Sequence, residues 1–112
     1  MSTSVGTEAE SAAARFLQSK GYQIIEQNWR TRFCEIDIVA KYRQQISFVE
    51  VKYRSTPLQG TGLDYITPKK LKQMTFAAQC WVEEHKWAGD YNLSAVEVTG
   101  DFDVTEFIDS IE

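Results

Sequence analysis

Apolar and polar residues alternate most regularly between Cys34 and Arg54. Cys34-Glu35-Ile36-Asp37-Ile38-Val39-Ala40 is followed by a polar run from Lys41 to Gln45, then by Ile46-Ser47-Phe48-Val49-Glu50-Val51-Lys52-Tyr53-Arg54. A period of two in segments rich in β-branched and aromatic residues predicts two strands, and the short polar break predicts a hairpin. No Asn-Gly or Asp-Gly marks the turn, so its type is open. With Arg43-Gln44 as the turn, Asp37 faces Glu50 and Glu35 faces Lys52, while a shift of one residue would move the charges to opposite faces. Glu35 and Asp37 share one face of the first strand, and Ile36 and Ile38 the other.

The flanking pattern supplies the other elements. Ala9, Ala12, Ala13, Phe16 and Leu17 recur at helical spacing, predicting an amphipathic helix over residues 7–20 with Gly21 at its end. Glu8 and Glu10 lie near its start, where the helix dipole favours acids, and Glu10 flanks the apolar stripe. Residues 22–29 alternate loosely and read as a first strand, after which Arg30 and Arg32 come close to Glu35. Residues 55–67 carry Pro57, Gly60 and Gly62 and read as a mobile loop, the kind of segment that contacts substrates. Thr67-Pro68 starts a helix that runs to about Trp87 with Leu71, Met74, Ala78, Trp81 and Val82 inward. A strand over 93–99, a turn at Gly100-Asp101 and a short terminal helix over 104–111 complete the expectation.

At 112 residues the chain reads as a single α/β domain with an acidic segment over residues 90–112. No apolar run approaches the about 20 residues that span a bilayer. The start has neither the basic nor the apolar part of a secretory signal, so a cytoplasmic protein is expected, with no membrane partner. Cys34, Cys80 and the single histidine, His85, do not make up a four-ligand zinc site. His85 reads as a surface residue, and Trp81 and Trp87 as packing. The net charge of −4 conceals an asymmetry: from Asp90 onward every charge is acidic, whereas residues 20–72 hold ten basic residues against five acidic. That middle stretch suits a polyanion or a plainly solvated basic surface.

The charges within the hairpin carry the candidate chemistry. Two carboxylates opposed across strands repel unless a positive charge lies near them. A divalent cation is one source, and a Glu35–Lys52 ion pair on a solvated face is another. Lys69, Lys70 and Lys72 crowd a helix N-terminus, where cations oppose the dipole and a bound phosphate would relieve them.

In combination, Gly6, Glu10, Ala13, Phe16-Leu17, Gly21-Tyr22, Asn28, Arg30, Glu35-Ile36-Asp37, Phe48-Val49-Glu50-Val51-Lys52, Arg54, Gly60, Thr67 and Lys70 resemble the YraN family of uncharacterised bacterial proteins. The resemblance covers residues 6–82. It implies a restriction-endonuclease-like fold, a mixed central sheet flanked by helices in an αβββαβ core, similar to archaeal Holliday-junction resolvases. It also implies that Asp37, Glu50 and Lys52 are the D…E-x-K signature, with Glu10 as an additional acid, Glu35 as an auxiliary one and the Val51 carbonyl completing a metal site. Hard oxygen donors of this kind favour Mg²⁺ or Mn²⁺. The implied activity is metal-dependent endonucleolytic hydrolysis of structured or branched DNA. Arg30, Arg32, Arg54, Lys69, Lys70 and Lys72 would hold phosphates, and a homodimer is left open. Two alternatives stay open: an inactive nucleic-acid-binding module of the same fold, and a protein-interaction domain. The chain departs from the family pattern at Cys34, where glycine is usual, and at Asn92-Leu93-Ser94, where Arg-Phe-Asp is usual.

Overall fold

Small side chains let the first helix lie close on a sheet. The computed structural model, which describes residues 5–55 and 64–111, has α1 at Val5–Ser19 with Ala9, Ala12, Ala13, Ala14 and Leu17 buried. Gly21 ends it with a left-handed φ of 96°, and the Tyr22 N–H donates back to the Leu17 carbonyl at 3.0 Å. The chain then forms β1 (Gln23–Arg30), β2 (Glu35–Tyr42), β3 (Gln45–Arg54), α2 (Pro68–His85), β4 (Asp90–Thr99) and β5 (Val104–Ile108). The sheet order is β1-β2-β3-β4-β5. All neighbours are antiparallel except β3 and β4, which pair in parallel from Gln45–Asp90 to Arg54–Thr99. A parallel pair needs a crossover, and α2 is its helical part. The architecture is α/β, a mixed sheet flanked by helices, as the family resemblance implied.

Each face of the sheet has its own core layer. Beneath α1, Ile38, Ala40, Val49, Val96 and Val98 meet the alanine stripe and Leu17. Beneath α2, Trp29, Ile36, Val39, Ile46 and Phe48 meet Ala77, Ala78 and Trp81. Thr67 caps α2 by accepting the Lys70 N–H at 3.1 Å, with Pro68 at the first helical turn. Among the described residues, no helix is long and apolar enough to cross a membrane. The expected loop over 55–67 has its middle, residues 56–63, outside the described residues.

The expected terminal helix is instead the strand β5. Val104, Phe107 and Ile108 have helical spacing, but a register shift between Glu97 and Val98 of β4 inserts an extra residue opposite. Val104 and Phe107 can thereby turn toward the same layer under α1 without helix, and Phe107 meets Phe16 and Tyr22 edge-on, with ring centroids 5.7 and 5.9 Å apart. A second register shift in β1, between Ile24 and Glu26, accounts for the loose alternation seen there.

Leu17 is fully buried where α1 meets the sheet. Leu17→Ala is expected to cost about 2–5 kcal/mol, against within about 0.5 kcal/mol for Arg15→Ala on the exposed side of α1. Urea unfolding measures both, and equal losses would mean that α1 is not docked through this stripe.

Candidate active site

Arg43 and Gln44 form the hairpin turn, and Arg43 supplies the left-handed backbone (φ 58°) that Asn or Gly more often provides. The β2–β3 ladder runs from Tyr42–Gln45 to Ile38–Val49, the register that this turn implies. Beyond Val49 the sheet forks. β2 stays with β1 down to the pair Arg30–Glu35, while β3 continues along β4 to Arg54–Thr99. Asp37 lies on one side of the fork, and Glu50, Val51 and Lys52 on the other.

Across this opening the Asp37 carboxylate takes over from the backbone ladder: its Oδ2 accepts the Val51 N–H at 2.8 Å. The alternation expected of β2 breaks at the same point. Ile36 packs in the layer beneath α2 and Ile38 in the layer beneath α1, so the two do not share a face. A strand that turns over within one residue directs that residue sideways, along the sheet and into the fork.

The fork gathers negative charge. The Asp37 carboxyl is pushed up to about 7, first by burial, then by Glu50, then by Glu10 and Glu35, against the opposing effect of the Val51 hydrogen bond. Glu10, partly buried on α1, is raised by burial and then by Glu35, with Arg30 opposing and Glu50 adding. Glu10 and Asp37, on different elements, are thus both raised by the charges of Glu35 and Glu50 as well as by burial. Lys70 reaches from the first turn of α2 to Glu50, Nζ to Oε2 at 2.9 Å. Glu35 pairs with Arg30 at 3.4 Å, both exposed, and not with Lys52 as a simple two-sided hairpin would have it. The Lys52 ammonium lies 5.5 Å from the centre of the Tyr65 ring. A groove of about 380 Å³ opens beside Glu50, between Phe33, Cys34 and Glu35 on one side and Lys70, Lys72, Met74 and Phe76 on the other.

The model of uncharacterised protein family UPF0102 matches residues 9–107. The chain belongs to that family. UPF0102 proteins similar to it include one from Cytophaga hutchinsonii, 34% identical over 86% of this chain and 85% of the relative. Another, from Thermotoga petrophila, is 40% identical over 82% and 83%. A third, from Vibrio parahaemolyticus, is 30% identical over 84% and 79%. The family membership read from the motifs is thus borne out over nearly the whole chain.

Not every basic residue singled out in this UPF0102 sequence faces solvent. Arg54 is 5% exposed, with its guanidinium on Glu97 and Asp64 and its Cζ 5.6 Å from the Tyr65 ring centre. It ties β3 to β4 and to the segment before α2, so it is not placed to hold a phosphate. Lys70 is engaged by Glu50, whereas Lys69, Lys72, Arg30 and Arg32 remain exposed. Spacing did not bring out Tyr65 or Glu97. Glu97 leaves a trace, a lone acid in the apolar run Ala95-Val96-Glu97-Val98. The Tyr65 hydroxyl is buried without a hydrogen-bond partner among the described residues, and burial with Glu50 and Glu97 nearby pushes its pKa up.

The departure at Asn92 and Ser94 touches little of this site. Ser94 is fully buried and hydrogen-bonded to Ser47, and Asn92 donates to the Asp109 carbonyl. Val51 meets Asp37 through its amide. Among the described residues no three His, Cys, Asp or Glu side chains lie close enough together to hold an ion. The donor set still fits Mg²⁺ in kind, because Mg²⁺ is held through one or two carboxylates and keeps several waters, and Asp37 with Glu50 offers such a pair. His85 stacks on Trp81 at the far end of α2, ring centroids 4.0 Å apart, and Trp81 is core.

The raised carboxyl of Asp37 fixes the sign of a pH effect. Between the usual carboxylate range and about pH 7 the folded chain holds a proton that the unfolded chain has released, so stability falls as pH rises through that window. Asp37→Asn keeps an acceptor for the Val51 N–H and removes the charge. With chelator present it should flatten this slope and gain at least about 1 kcal/mol over wild type at pH 8, read from urea midpoints. A variant that keeps the wild-type slope would remove Asp37 as its source.

Proposed function

We propose that this protein is a metal-dependent endonuclease that hydrolyses phosphodiester bonds in structured or branched DNA. What supports the reading best is the carboxylate gathering at the fork, where Asp37 is anchored by the Val51 N–H and raised first by burial and then by Glu50, Glu10 and Glu35. Crowding acids against one another in a partly buried place is costly unless a cation offsets them. Asp37 and Glu50 are the residues that would hold Mg²⁺ or Mn²⁺, with Glu10 and Glu35 adding negative field around them. When bound there, such an ion would polarise a phosphate oxygen and make a bound water more acidic.

The chain's own groups do the remainder. Lys52, two residues along β3 from Glu50, would orient the attacking water or offset charge building on the phosphate. The Tyr65 ring, which lies near both Lys52 and the buried Arg54 guanidinium, would help to hold Lys52 at this end of β3. Arg30, Arg32, Lys69 and Lys72 would hold the nucleic-acid backbone, giving salt-sensitive binding with little sequence readout. On this reading the sheet and its two helices are the restriction-endonuclease-like core, and the protein works in the cytoplasm, where DNA is found.

One observation favours a second reading, a nucleic-acid-binding module without catalysis: the Lys70 ammonium already neutralises Glu50. Both readings meet in one assay of purified protein on branched and linear DNA with Mg²⁺ or Mn²⁺, beside Asp37→Ala and Lys52→Ala. The nuclease reading expects metal-dependent cleavage that falls about 100-fold or more in each variant. Salt-sensitive binding with no cleavage by the wild type would overturn it in favour of the module.

A further inference from the structure

Two aromatic rings stand in solvent at the groove beside Glu50. Phe33 is 77% exposed and Phe76 48% exposed, and both line the groove together with Lys72 and with two acids that are already paired, Glu35 with Arg30 and Glu50 with Lys70. They come from separate elements. Phe33 sits in the β1–β2 link, a turn held by the Thr31 N–H on the Cys34 carbonyl (2.9 Å) and by the Phe33 N–H on the Thr31 hydroxyl (3.1 Å). The Arg32 guanidinium lies 5.6 Å from its ring centre. Phe76 follows Lys69 and Lys72 at spacings of seven and four residues along α2, so the three form one stripe on the helix. No acidic residue lies in the first turn of α2.

Building on the nuclease reading above, we propose that this groove takes an unpaired DNA strand, whose bases stack on Phe33 and Phe76 while Lys69, Lys72 and Arg32 hold its phosphates. The two kinds of side chain match the two faces of a single strand. Every base has a π-face that an aromatic ring can cover, and its backbone carries one negative charge per nucleotide. A continuous duplex presents the phosphates alone, since its bases are already stacked on each other. The substrate is thereby narrowed to DNA with a single-stranded arm, flap or gap next to the scissile bond. Self-association through the same rings is the competing use of this patch, and the measurements below separate it from strand binding.

The test uses the whole protein with chelator present, so that binding is read without cleavage. Probes are a single-stranded oligonucleotide carrying 2-aminopurine, a flap and a blunt duplex, compared between wild type and the surface variants Phe33→Leu and Phe76→Leu. Each variant should bind the single strand and the flap roughly tenfold more weakly, quench 2-aminopurine less, and bind the duplex within about twofold of wild type. The salt dependence should stay as in wild type, because no phosphate contact is removed. Losses equal for duplex and single strand, or no loss at all, would overturn the stacking inference while leaving the nuclease reading intact. A dimer seen in sedimentation that either variant dissolves, with DNA affinity unchanged, would assign the rings to a subunit contact and overturn it as well. If wild type binds and cuts no DNA of any form, the nuclease reading fails and this inference goes with it.

Discussion

A single hydrogen bond, from the Val51 amide to the Asp37 carboxylate, stands where two halves of the sheet part company. A backbone N–H left at a fork in a half-buried sheet needs an acceptor, and a lost one costs about 1–3 kcal/mol. Here the acceptor is an acid, and the acid is surrounded by others. The local requirement of the backbone therefore draws a charge into the very place where Glu50, Glu10 and Glu35 oppose it. The rest of the architecture makes that conflict tolerable. α1 and α2 close the two faces of the sheet, so the strands on either side of the fork are held by their own partners.

The layers also explain why residues distant in sequence act at one point. The alanine stripe brings α1 close to the sheet and with it Glu10, whose carboxyl is sensitive to Glu35 and Glu50. The Thr67 cap and Pro68 set the direction of α2, and Lys70 in its first turn then reaches Glu50. Arg54 secures the far end of β3 to Glu97 of β4. Each of these contacts is ordinary for an α/β domain. Their convergence on one edge of the β2–β3 opening is what makes the place a candidate site.

Much of this could be read from residue order. The start of α2 at Thr67-Pro68 and the end of α1 at Gly21 follow from local chemistry that tertiary packing reinforced, whereas the turn at Arg43-Gln44 carried no local signal and was only one of the possible registers. Other features lay beyond a simple period. The reversal between Ile36 and Ile38 depends on β2 leaving β3, which no pattern within β2 alone encodes. β5 resembled a helix because a register shift in the sheet mimics helical spacing. Arg54 resembled a phosphate-binding residue because its partner, Glu97, is 43 positions away. Tyr65 gave no signal at all, since its role depends on what lies above it in space.

The hairpin is closed at Arg43-Gln44 and open at Asp37, and that geometry has a mechanical side. Paired backbone from Tyr42–Gln45 to Ile38–Val49 acts as the pivot, and β1 with β2 and β3 with β4 act as two blades. A small rotation about the pivot moves the tips farthest. The gap between Asp37 and Glu50 lies at the root of the fork, one residue past the last pair, so bending the blades spreads Glu35 and Arg54 far more than it changes the spacing of these two acids.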